Sequence, residues 1–225
     1  MREKYKVDRG TFKRDLLVIL LILLMFVSGI IVYPFLPEKV PAHWNIKGEV
    51  DRYESRFWGA FGIPLLVLAI YLGLLYLPYI DPKRENYLKF EGVYRIIRHT
   101  FVIIFSLIHF TILYIALGGP KNLVPKIIPA VLGILFIILG NYMPKIKYNW
   151  FIGIRTPWTL SNEEVWRKTH RFSGFAFVIA GIFLLISGFL PPYLNFLLGI
   201  GGILIAVILS ILYSFLVYKK LANNK

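Results

Sequence analysis

Apolar residues run through this chain in blocks too long for an ordinary soluble core. Leu16–Leu36 is 21 successive residues without a charge. Phe57–Ile80, Thr100–Gly118 and a shorter Ile127–Met143, flanked by Lys126 and Lys145, follow without Asp, Glu, Lys or Arg. Crossing ~30 Å of hydrocarbon at ~1.5 Å per residue takes about 20 such residues, so each block predicts a transmembrane helix. The last block, Phe172–Tyr218, is too long for one crossing. Pro191-Pro192 divides it, because two prolines remove two helix donors and fix a turn. The pattern predicts an all-α integral membrane protein of about six transmembrane helices, the fifth and sixth forming a tight hairpin.

Charge sits between the blocks and sets the expected orientation. Lys and Arg number six before the first span, five in 81–99, six in 144–171 and three after Tyr218, against four in 37–56 and two in 119–126. Retention of positive charge on the inner side places the N and C termini in the cytoplasm, in a multi-pass cell-membrane protein. The expected organisation is a cytoplasmic tail 1–15, a two-span domain 16–80 with outer loop 37–56, an inner loop 81–99, a four-span domain 100–218 with inner loop 144–171, and a tail 219–225. The basic start leading into Leu16 lacks a small-residue cleavage pattern and reads as a retained anchor.

Composition sharpens this picture. The 225 residues are 57% hydrophobic with mean hydropathy +0.66, and a lipid-facing surface accounts for both values. A net charge of +14 arrives without any nucleic-acid-binding motif, so the bilayer and its anionic headgroups are the expected partner, and nucleic acid is not. The absence of cysteine excludes disulfides, thiolate metal sites and thiol nucleophiles. With no Asp, Glu, Lys or Arg in the uncharged blocks, a carboxylate-lined ion path lacks its chemistry. His109 is the one ionisable group at depth, and a neutral histidine bonded to another helix is the simplest reading.

Two loops carry chemistry beyond connection. In the outer loop His43, Asn45, Glu49 and Asp51 supply imidazole and oxygen groups within nine residues, around a turn that Gly48 permits. Zinc or another divalent cation can use such a set, with His43, Glu49 and Asp51 as candidate ligands. The competing reading is a turn built by Asn45 and Gly48, carboxylates paired with Lys47, Arg52 or Arg56, and Trp44, Tyr53 and Trp58 in the interfacial belt.

In the inner loop, Ser161-x-x-Glu164 reads as a capping box. It predicts a short amphipathic helix from Asn162, with Val165, Trp166, Thr169 and Phe172 on its apolar face and Arg167, Lys168 and Arg171 toward headgroups. The preceding Gly153-Ile-Arg-Thr-Pro-Trp-Thr-Leu combines turn formers with Arg155, suited either to an ion pair with Glu163 or Glu164 or to gripping a carboxylate or phosphate.

Gly140-Asn141-Tyr142-x-Pro144, Asn149-x-x-x-Gly153-Ile-Arg155-Thr-Pro157-Trp158-Thr-Leu160 and Val165-Trp166-x-x-Thr169-His170, in that order, resemble the SdpI family of bacterial membrane immunity proteins. Pro41-x-His43-Trp44-Asn45-x-x-Gly48-Glu49-x-Asp51-Arg52-Tyr53 is similar to the uncharacterised N-terminal domain often fused to that family. The resemblance covers roughly residues 16–218. It implies a non-enzymatic immunity or signal-receptor protein, since the best-known member protects its cell from a secreted peptide toxin and then retains a transcriptional repressor at the membrane. The expected partners are therefore a secreted peptide or small ligand and a cytoplasmic regulator. The expected ligand- or partner-binding residues are His43, Trp44, Asn45, Glu49, Asp51, Asn149, Arg155, Trp158, Glu164, Trp166 and His170. Two rivals stand beside this reading: a metal-dependent membrane enzyme acting on lipid or peptide through His43, Glu49 and Asp51, and a small-solute transporter.

Overall fold

A computed structural model of the protein describes residues 3–223. The helices are α1 (Arg9–Val32), α2 (Arg56–Ile80), α3 (Glu91–Ala116), α4 (Val124–Tyr142), the short α5 (Pro157–Ser161), α6 (Glu163–Ser187) and α7 (Pro192–Asn223). Among the described residues, six helices are long and apolar enough to cross a membrane. The bundle has two ends. The terminal end carries the start of α1, the end of α7, the 3-10 segment Arg84–Phe90 and the loop before α6, and the hairpin end carries the remaining connections.

Two groups of helices make the bundle. In one, α4 and α7 pack on either side of α6. A Cβ on Gly133 would stand 2.7 Å from the Gly181 carbonyl oxygen, and one on Gly140 would stand 2.7 Å from that of Gly174. A spacing of seven puts both glycines of each helix on one face, so the backbones approach as small residues allow between helices in lipid. In the other group, α1, α2 and α3 close around Val18, Ile22, Met25, Val67, Leu75 and Val102. Through Ile104, α3 also meets Val131 and Leu135 of α4, joining the groups. His109 is fully buried, with Nε2 3.3 Å from Ser28 Oγ on α1, which matches the interhelical role read for it.

Three features depart from the helical pattern in the sequence. Residues 39–55 form an antiparallel hairpin, β1 (Lys39–Trp44) and β2 (Val50–Ser55), pairing Lys39 with Ser55 and Trp44 with Val50. Its register shifts around His43, where an irregularity bends and twists the ribbon. Pro41 is tolerated because a two-stranded ribbon has only edge strands. The second departure is at the start of α6: Asn162, not Ser161, is the cap, its Oδ1 accepting the Glu164 and Val165 N–H groups at 2.8 and 3.2 Å. The helix from there runs without a break to Ser187, so the short amphipathic segment is the first part of a spanning helix. The capping box belongs instead to Thr156 and Thr159, at the start of α5. Third, the helices extend beyond the uncharged blocks and take Asp15 into α1 and Arg98 into α3, both buried.

Candidate functional site

The hairpin is built locally and then fastened. Asn45 Oδ1 accepts the N–H groups of Lys47 and Glu49 at 2.9 and 3.1 Å, and its carbonyl accepts Gly48 N–H at 2.9 Å. Gly48 closes the turn at φ +80°, a conformation glycine adopts without steric cost. Val40 is fully buried and sits so close to Gly59 of α2 that a Cβ there would fall 2.6 Å from it. At the tip, a Cβ on Gly48 would meet Pro125 of α4 at 2.9 Å. The ribbon therefore rests on both groups of helices.

His43 Nδ1 lies 2.6 Å from Asp51 Oδ1, with both side chains open to solvent. Glu49 does not join them: its carboxylate accepts from Asn45 Nδ2 at 3.2 Å. The three candidate metal ligands thus divide into a pair and a turn brace. No group of three or more His, Cys, Asp or Glu is placed to hold a metal among the described residues. The donor set does not fit a zinc-type site, which needs at least three protein ligands. Arg52 and Tyr53 are exposed beside the pair, while Trp44 faces an apolar cleft between the hairpin tip and α4 and α7.

At the terminal end the recognisable residues are mostly committed to one another. Asn149 is fully buried; its Oδ1 accepts Phe151 and Ile152 N–H at 2.9 and 2.7 Å, and its Nδ2 donates to the Lys147 and Ile152 carbonyls. Asp81 Oδ2 accepts the Tyr87 hydroxyl at 2.8 Å and Trp150 N–H at 3.0 Å, tying the α2–α3 connection to the same loop. Gly153 has φ +116°, and a Cβ there would fall 2.2 Å from His170 Nε2. That nitrogen accepts Ile154 N–H at 3.1 Å, while Nδ1 lies 2.8 Å from the Trp166 carbonyl. These partners require a neutral ring protonated at Nδ1. His170 stacks on Trp166 at 4.0 Å, and Trp166 Nε1 donates to the Ile146 carbonyl at 3.0 Å. Burial also pushes the Tyr148 phenol above its ordinary pKa, and its hydroxyl donates to the Leu160 carbonyl.

Asn149, Trp166 and His170 thus form the internal frame of this loop. Three residues of the sequence set stay nearer its surface. Trp158 packs against Phe215 of α7, Glu164 pairs with Lys168 at 2.8 Å, and Arg155 is exposed. The expected pairing of Arg155 with Glu163 or Glu164 does not form, because its Nη1 donates to the Trp150 carbonyl at 3.0 Å instead.

A third polar group lies about two helical turns inside the terminal end, and the sequence reading did not find it. Asp15 is fully buried; Arg98 donates to its Oδ2 at 2.6 Å, Tyr71 donates to the same oxygen at 3.0 Å, and His99 Nε2 lies 2.7 Å from Oδ1. Arg98 is itself only 2% exposed. The signal was available: Asp15 and Arg98 flank their uncharged blocks at similar depth on two helices running the same way. A buried carboxylate supplies a group that the transporter reading lacked. Both of its oxygens are nevertheless occupied, so it braces α1, α2 and α3 together.

Six apolar helices, a fastened extramembrane hairpin and a buried polar frame define a multi-pass membrane protein of the cell membrane. Residues 145–218 match the SdpI/YfhL protein family, and residues 20–79 match a domain of unknown function, DUF1648. The chain is 30% identical over 213 residues to Immunity protein SdpI of Bacillus subtilis (strain 168), covering 95% of this chain and 100% of that one. No solved structure matches. The chain belongs to the SdpI family.

Proposed function

We propose that this chain is an immunity-type membrane protein that recognises an extracellular peptide or small ligand at its hairpin end, with both termini in the cytoplasm. Its similarity over 95% of its length to an immunity protein supports the general role. The observation that carries the location is the hairpin itself: a braced ribbon, held at Val40 and Gly48, that displays His43, Asp51, Arg52 and Tyr53 outward. Such a preformed surface loses little freedom on binding, which favours affinity. The terminal end, with Arg155 and Trp150 at its surface, is the face open to a cytoplasmic regulator.

The orientation is tested by single cysteines, since the chain has none of its own. An impermeant thiol reagent should label Asn45→Cys on intact cells and Asn162→Cys only after lysis, and the reverse pattern would overturn the placement. The role is tested by replacing SdpI in Bacillus subtilis with this chain carrying the SdpI hairpin. Survival beside cells that make the toxin is the expected result. Sensitivity despite normal membrane levels would count against the immunity reading.

A further inference from the structure

We propose that the cleft between the hairpin tip, α4 and α7 binds an anionic phospholipid, with one acyl chain in its apolar part and the headgroup between Lys47 and Lys126. The apolar part, about 230 Å³, is lined by Trp44, Ile46, Ile128, Leu132, Phe196 and Ile200, with Leu184 of α6 behind them. It shares Gly48, Pro125, Pro192 and Asn195 as walls with an adjoining hollow of about 240 Å³, where Lys47, Asn122 and Lys126 lie. No Asp or Glu lines either part. Neither lysine forms an ion pair among the described residues.

The charge of the mouth therefore favours an anion. The first turns of α4 and α7 both border it, and helix starts add partial positive charge to that of the two ammonium groups. The walls are fixed in advance. Pro129 has no N–H to offer the Pro125 carbonyl, and Asn195 Nδ2 donates to that oxygen at 2.8 Å, while Ser187 Oγ donates to Asn195 Oδ1 at 3.1 Å. One side chain thus links α4, α6 and α7 at the rim.

Lipid fits better than a soluble anion because of the vertical order of the site. From Val124 to Leu132 and from Pro192 to Ile200 is eight residues on each wall, or about 12 Å of descent. The lysines stand at the bundle end and the slot runs inward from them. A bilayer lipid already has its charge and its chain in that arrangement, so little order must be imposed for it to enter.

The test is native mass spectrometry of the whole protein in detergent, titrated with phosphatidylglycerol, with phosphatidylcholine and with glycerol phosphate. Phosphatidylglycerol should bind at least about tenfold more tightly than phosphatidylcholine, and glycerol phosphate should not bind. Lys47→Glu with Lys126→Glu should abolish the preference between the two lipids. Ile200→Trp should weaken both lipids by filling the slot. Both changes lie at lipid-exposed or solvent-exposed positions, and Lys47→Glu alone, at a hairpin tip, reports the charge effect if the double variant fails to fold. Equal binding of the two lipids, a preference that survives the charge reversals, or glycerol phosphate binding as tightly as the lipid would each overturn the proposal. So would recovery of a peptide in the slot in place of lipid.

Discussion

Asn149 at the terminal end and Asn45 at the hairpin end each organise a turn through side-chain bonds to backbone, yet the first is fully buried and the second stands at the rim of an open cleft. The same contrast runs through their neighbours. His170 is enclosed, with both ring nitrogens engaged, whereas His43 meets only Asp51 in an exposed pair. Polar chemistry at the terminal end is consumed in holding α2, α3 and α6 to one loop. At the hairpin end the ribbon is held to the bundle by Val40, Leu36 and Gly59, and His43, Asp51 and Arg52 stay exposed. A motif rich in Asn, Trp, His and Gly can therefore mark a frame as readily as a site, and burial, rather than bonds to backbone, distinguishes the two.

Substitutions can break this contrast, and the largest effect is expected from the ion pair behind the terminal end. Asp15→Asn or Arg98→Met leaves one buried charge without its partner and should cost about 3 to 5 kcal/mol, read as a collapse of thermal stability in detergent. Asp15→Leu with Arg98→Met should recover a substantial part of the loss, because neither charge then remains; a double variant no better than the singles would assign the cluster a role beyond bracing.

Next in size is Gly153→Ala. The left-handed backbone and the 2.2 Å approach to His170 act together, and a loss of about 2 to 4 kcal/mol is expected. A normal melting temperature in this variant would show that the loop is not a frame.

The smallest stability effect belongs to the hairpin end. His43→Ala and Asp51→Asn remove an exposed hydrogen-bonded pair and should change stability by about 1 kcal/mol or less. If stability falls steeply instead, the two ends do not differ in the way described. Arg155→Lys sharpens the same point: its single bond to the Trp150 carbonyl is one an ammonium can also make, so a stability change within about 0.5 kcal/mol is expected.

Much of the architecture was legible because bilayer thickness dictates helix length. The blocks from Leu16 onward and the break at Pro191-Pro192 each map onto a helix or a turn. The hairpin was not legible as strands, because β1 and β2 are six residues each and Pro41 interrupts the first. The Asn45–Gly48 turn at its centre was legible, since Asn and Gly there have specific conformational roles. The Asp15–Arg98 pair was missed because charges beside an uncharged block read as loop charge, although a helix can carry them two turns inward when each has a partner. The inner-loop residues were recognised as a set, but only their contacts separated Asn149 and His170, which are enclosed, from Arg155, which is not. The outer trio looked like a ligand set in one dimension, and the turn geometry sent Glu49 to Asn45.

The division of labour between the two ends is tested most directly by an exchange of hairpins. Bacillus subtilis SdpI carrying residues 39–55 of this chain in place of its own aligned segment should reach the membrane at its normal level and lose protection, because the displayed surface that selects the ligand has changed. Full protection by that chimera would contradict the account and move recognition away from the hairpin.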